Sequence, residues 1–200
     1  MKKVCYVILL YVLSTKVFAG TANDFESVTA SFKVTKPNEW QFITAQENIE
    51  NIKRVELSDK ELHEKMIKYS QSPLVAMMKY PEPFDDVNPS FKVNIKPLGQ
   101  LKGLDPKQIL GIMLPQLEKT FKNYKLVVAP EDAKVSGLGG AYMKINYSMA
   151  IPDGREFPIT SEMWVVPRGD YFFLIGAGTR QDESTGSRAE IQNILSSMSL

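Results

Sequence analysis

The sequence predicts an α+β fold, an antiparallel sheet with helices packed on it. Three observations predict it. Apolar and polar residues alternate through several short stretches, the period of a half-buried strand. Residues 105–124 and 184–198 instead carry apolar side chains at helical spacing. The segments run strands, helix, strands, helix, many strands, helix, an order that suits antiparallel pairing and not repeated βαβ units.

Each element has its own signal. In 28–36 (VTASFKVTK), Val28, Ala30, Phe32 and Val34 share one face of a strand, and Pro37-Asn38 turns it. Trp40-Gln41-Phe42-Ile43 begins a second strand, and 46–57 fits a short helix or a strand. Ser58-Asp59-Lys60-Glu61 is a capping box that opens a helix to about Tyr69, with Pro73 as its stop. Residues 74–80 form a compact apolar strand and 81–90 a turn-rich loop. The alternation is cleanest over 91–96, with Phe91, Val93 and Ile95 inward.

Asp105-Pro106 pairs an N-cap with proline at the first helical position. Ile109, Leu110, Met113, Leu114, Leu117 and Phe121 form the stripe that follows. Pro115 lies within it and predicts a kink near Gly111 or a break into two helices. Strands follow at 125–129, 133–138, 141–151, 156–167 and 170–177. Pro152-Asp153-Gly154 and Arg168-Gly169-Asp170 are turns between them. The last helix presents Ala189, Ile191, Ile194, Leu195 and Met198 on a broad apolar face.

The amino end sets the expected compartment. Lys2 and Lys3 precede ten uncharged residues, and Val17-Phe18-Ala19 resembles a cleavage site. This is the layout of a secretory signal peptide over 1–19, with Ala22 the alternative cut. Ten residues fall short of the roughly 20 that span a bilayer. The one cysteine, Cys5, lies within the leader. The expected mature chain therefore has no thiol for disulfides, catalysis, metal or a lipid anchor. Its organisation is a flexible lead-in at 20–27 and a single domain over 28–200, of a size that supports its own core. With Lys2, Lys3 and Lys16 removed, 21 basic residues face 23 acidic ones. That balance does not suit nucleic acid, and no second segment suits a membrane span.

Candidate chemistry is sparse. His63 is the only histidine, and no nucleophile elbow accompanies it. Glu82, Asp85 and Asp86 crowd one loop, where carboxylate oxygens suit a hard cation, although their spacing is not that of an EF-hand. Ser136-Gly137-Leu138-Gly139-Gly140 lacks the following helix that a phosphate loop needs and reads as a hairpin or bulge. Trp40 and Trp164, with Phe172 and Phe173, are core aromatics or the wall of a ligand groove. Arg180, Asp182, Glu183 and Arg188 mark a charged entry to the last helix.

Several short motifs resemble the PsbP-like family, which includes exported proteins of the DcrB type. Residues 33–42 (KVTKPNEWQF) are similar to its P-x-x-W strand pair, and Asn88-Pro89-Ser90-Phe91-Lys92-Val93-Asn94 to its N-P-x-x-x-V strand. The glycine turn at 136–147 and the tail EIQNILSS over 190–197 resemble its glycine turn and its closing helix. The resemblance implies an α/β/α sandwich around an antiparallel sheet of about six or seven strands. It also implies an adaptor or accessory protein and no enzyme.

The expected function is that of a soluble exported protein, periplasmic or secreted, which binds an unknown envelope protein and uses no cofactor. The alternative is a small-molecule, lipid or cation-binding protein using the Trp40–Trp164 groove or the acidic loop. A hydrolase is the third reading.

Overall fold

Two-residue turns close two of the sheet's hairpins. Strands β6 (Lys122–Val135) and β7 (Leu138–Ala150) join across Ser136 and Gly137, whose φ angles of 52° and 79° suit the mirror-image turn that a twisted hairpin favours. Strands β8 (Glu156–Arg168) and β9 (Tyr171–Arg180) join across Gly169, at φ 63°, and Asp170. The computed structural model describes residues 23–53, 73–151, 153–183 and 185–200. The expected leader over 1–19, the first residues of the lead-in and the capped helix with His63 lie outside the described residues.

The chain opens with β1 (Asp24–Ser27), β2 (Phe32–Thr35) and β3 (Gln41–Phe42). Helix α1 (Ala45–Lys53), β4 (Val75–Met78) and β5 (Ser90–Pro97) follow. Helix α2 (Pro106–Thr120) precedes β6, and helix α3 (Ser187–Ser197) follows β9. Seven strands form one antiparallel sheet in the order β3-β4-β5-β9-β8-β7-β6, and β1 and β2 form a separate hairpin.

The pleat sends alternate side chains to opposite faces. One face carries Phe91, Val93, Trp164, Val166, Phe173 and Ile175. The β1–β2 hairpin and α3 cover it with Phe32, Val34, Ile191 and Ile194, each at most 1 % exposed. The carboxyl end is tied to β2, since Lys33 and Ser199 exchange backbone bonds of 2.9 Å. The other face carries Ala141, Met143, Val165 and Phe172 under Ile109 and Leu110 of α2. The result is an α/β/α sandwich with a seven-stranded antiparallel sheet.

Four expectations change. Residues 24–27 are not a lead-in. Phe25 packs 6.1 Å from Phe32 and 6.2 Å from Phe42, which draws its polar neighbours into a strand. The strand expected over 28–36 shrinks to Phe32–Thr35, because 28–31 is the turn that returns β1 to β2, with Ser31 at φ 45°. Residues 125–129 and 133–138 do not form two strands. Lys122–Val135 is continuous because Pro130 sits where β6 bulges at the sheet edge, a position that demands no ladder donor. Helix α2 is one element despite Pro115. The Asp105 side chain caps it at Lys107 N (2.8 Å), Gln108 reaches back to Asp105 N (3.0 Å), and it ends at Thr120 where β6 begins.

In the last helix Ile191, Ile194 and Met198 are buried as expected, whereas Ala189 faces solvent.

Candidate functional site

The acidic loop between β4 and β5 is an anchor. Glu82 accepts from Phe84 N (3.0 Å) and from Asn88 Nδ2 (2.8 Å). Asp85 pairs with Arg155 of the β7–β8 connection at 2.8 Å. Asp86 accepts from Val87 N (2.6 Å) and from Arg180 at the end of β9 (2.5 Å). The three carboxylates therefore point to separate partners and do not converge into an oxygen shell for a cation. Among the described residues, no group of three or more His, Cys, Asp or Glu is placed to hold a metal.

The two tryptophans belong to the core and do not wall an open groove. Trp40 is 1 % exposed, and its Nε1 donates to Glu190 Oε2 of α3 at 3.2 Å. The same oxygen takes Lys79 Nζ at 2.9 Å. Burial works against the Lys79 ammonium, but the Glu190 carboxylate offsets it and holds the group above its ordinary range. Trp164 is 6 % exposed and lies 5.1 Å from the Tyr142 ring. Phe172 and Phe173 are buried on opposite faces of the sheet.

The glycine-rich segment is a hairpin. A methyl group on Gly140 would meet Val165 O at 2.4 Å, so close strand packing explains that glycine without a phosphate. An open depression of about 530 Å³ lies beside it, lined by Pro106, Asp132, Ala133, Lys134, Gly139 and Gly140. Its carboxylate is already engaged, since Lys107 Nζ meets both Asp132 oxygens at 2.7 and 2.8 Å.

A polar ladder at the rim of the α3 face escaped the motif reading. Tyr142 and Lys144 of β7 register with Trp164 and Glu162 of β8, and Asn146 with Thr160. Glu162 is 6 % exposed, accepts from Tyr142 Oη at 2.5 Å and lies 4.0 Å from Lys144 Nζ. Burial, then the bond to Glu162, raises the Tyr142 hydroxyl well above the ordinary phenol range. Arg188 closes the ladder from α3. It donates to Thr160 Oγ1 at 3.0 Å and to the Arg180 and Gln181 carbonyls, while its Nε lies 2.7 Å from Glu183. The charged entry to the last helix is thus a structural clamp. Its readable trace was the pattern Tyr142, Lys144, Asn146 on every second residue of a strand.

The most accessible apolar surface in the sheet lies on β6, at its edge among the described residues. Leu126 and Val127 are 39 % and 43 % exposed. Three register shifts and Pro130 interrupt the strand. Such features discourage open-ended strand addition and leave side chains as the means of contact.

Sheet order, layers and closing helix together define the PsbP-like fold. Two solved structures share it. LpqN from Mycobacterium tuberculosis, described as involved in cell envelope biogenesis, has 12% identity over 91% of this chain and 86% of its own, with a TM-score of 0.51. Cyanobacterial PsbP (CyanoP) from Synechocystis sp. PCC 6803 has 14% identity over 94% of this chain and 98% of its own, also with a TM-score of 0.51. No family model and no curated protein matches the chain. At such identity the likeness carries the fold and not the activity. Among the described residues, no helix is long and apolar enough to cross a membrane.

Proposed function

We propose that this chain is an exported accessory protein of the cell envelope, which works by binding another protein and catalyses no reaction. The observation that carries the reading is the β6 edge, where Leu126 and Val127 are the exposed large apolar side chains of the sheet among the described residues. Lys125 beside them gives that surface a cation for a partner's acidic residue. The leader-like first 19 residues support export, and the envelope role stated for LpqN is an analogy in the same direction.

The cation-binding alternative loses support because Glu82, Asp85 and Asp86 are spent on anchoring. The test is site-specific photocrosslinking in the native envelope. A crosslinker at Val127 should capture one repeatable protein partner, and Leu126→Asp should abolish the capture. A crosslinker at Val28, which is 84 % exposed, should capture none. Equal capture from both positions, or none from Val127, would remove the β6 reading.

A further inference from the structure

Lys92 is a partly buried lysine whose ammonium meets, among the described residues, an amide and no carboxylate. It lies on β5 between Phe91 and Val93, both fully buried on the α3 face, so its own side chain faces the layer of α1 and α2. Its cross-strand partners are Ala76 of β4 and Gly176 of β9. Met163 of β8 and Met143 of β7 continue the same row across the sheet. The row thus holds one cation, flanked by its two smallest side chains.

The ammonium donates to Asn48 Oδ1 of α1, and Asn48 is itself 4 % exposed. Burial pushes the Lys92 ammonium below its ordinary range, and no carboxylate offsets that effect. An ammonium has three N–H donors, and an amide oxygen satisfies one of them without neutralising the charge.

Beside this cation the described residues leave space over the sheet: a methyl group added to Gly176 would meet none of their atoms within 4 Å. Gly178, the next β9 residue on that face, has only Ser90 Oγ near its missing side chain, at 3.2 Å. Neither glycine has a positive φ, so turn geometry does not explain them. Glycine within a strand marks a place where another group approaches the backbone closely.

We propose that Lys92 and the Gly176–Gly178 floor form a subsite for a small oxyanion, the carboxylate or phosphate group of an organic ligand. The anion would take the N–H donors of Lys92 that Asn48 does not use and neutralise a charge that no carboxylate among the described residues meets. The subsite is independent of the β6 contact, and either can fail without the other.

The test uses purified full-length protein labelled with ¹³C,¹⁵N-lysine and otherwise unmodified, titrated separately with inorganic phosphate and with acetate, and with chloride as the control for ionic strength. The Lys92 Cε signal, assigned by its absence in Lys92→Met, should shift with phosphate, acetate or both, and its titration midpoint should rise. Chloride should do neither. A shift with one anion alone assigns the group as phosphate or carboxylate. Lys92→Met should weaken binding about tenfold or more, the size expected for loss of a charge-assisted hydrogen bond. Gly176→Ala supplies a second variant, since its methyl clashes with none of the described residues but fills the floor, and it should also weaken binding. The proposal is overturned if neither anion moves the Lys92 signal, if chloride moves it equally, or if Gly176→Ala binds like the parent protein.

Discussion

Each face of the sheet takes in a lysine, Lys79 under α3 and Lys92 under α1, and the two are held differently. Under α3, Lys79, 8 % exposed, meets the Glu190 carboxylate at 2.9 Å, while Lys36 of the hairpin, equally buried, donates to Asn23 Oδ1 and lies 5.6 Å from the centre of the Phe42 ring. On the face of α1 and α2, the Lys92 ammonium meets a neutral amide. The contrast teaches that burial alone does not mark a charge as functional. A paired buried ion is accounted for by the fold, whereas an unpaired one is retained at a cost that a ligand can offset.

The largest expected effect tests whether the α3 face is structural. Phe173 is fully buried and lies 5.9 Å from the Phe32 ring of the hairpin. Phe173→Ala should cost about 3–5 kcal/mol in urea unfolding, from lost transfer energy and the cavity left behind. A cost near zero would mean that the hairpin and α3 do not hold that face closed. Next in size is Lys92→Met, which should stabilise the ligand-free protein by about 1–3 kcal/mol because it removes an uncompensated buried charge. Destabilisation of similar size would show that the Asn48 bond is a net structural gain, and the contrast between Lys79 and Lys92 would collapse.

Glu190→Gln comes third. The amide oxygen can still accept from Trp40 Nε1, but the charge opposite Lys79 is gone. About 1–2 kcal/mol should be lost, the range for a hydrogen bond to a charged group at a partly exposed site. Lys102, whose partner Asp170 is 83 % exposed, provides the surface control. Lys102→Ala should leave the unfolding midpoint in place, as exposed ion pairs usually do.

Much of this architecture was legible from local pattern. The alternation over 91–96 correctly put Phe91 and Val93 in the core, and the Asp105-Pro106 start correctly opened α2. Elements that depend on tertiary contact were not legible. Asp24–Ser27 reads as a polar tail, and only the packing of Phe25 on Phe32 and Phe42 makes it a strand. Pro130 reads as a break, and only its place in an edge bulge makes it tolerable. The polar residues proved hardest to read. Lys92 occupies the polar phase of an alternating strand and reads as solvated, yet α1 brings Asn48 over it. Glu82, Asp85 and Asp86 read as a cluster, yet their partners come from residues up to 94 positions away.

The smallest expected effect is a slope with pH, and its sign separates a desolvated ammonium from a desolvated phenol on the same face of the sheet. Lys92 titrates below 10.5 when folded and returns toward that value when unfolded. Between the two values the unfolded chain holds more protons, so stability rises with pH and the rise is complete near 10.5. Tyr147, stacked 4.0 Å from Phe121, behaves in the opposite way. Burial pushes its hydroxyl from 10.0 to about 12. Above pH 10 the unfolded chain loses that proton first, so stability falls toward pH 12. Urea midpoints measured across this range should therefore show a gain that Lys92→Met removes, followed by a loss that Tyr147→Phe reduces. If Lys92→Met leaves the rising limb unchanged, Lys92 is not the uncompensated charge. The difference between Lys79 and Lys92 would then rest on packing alone.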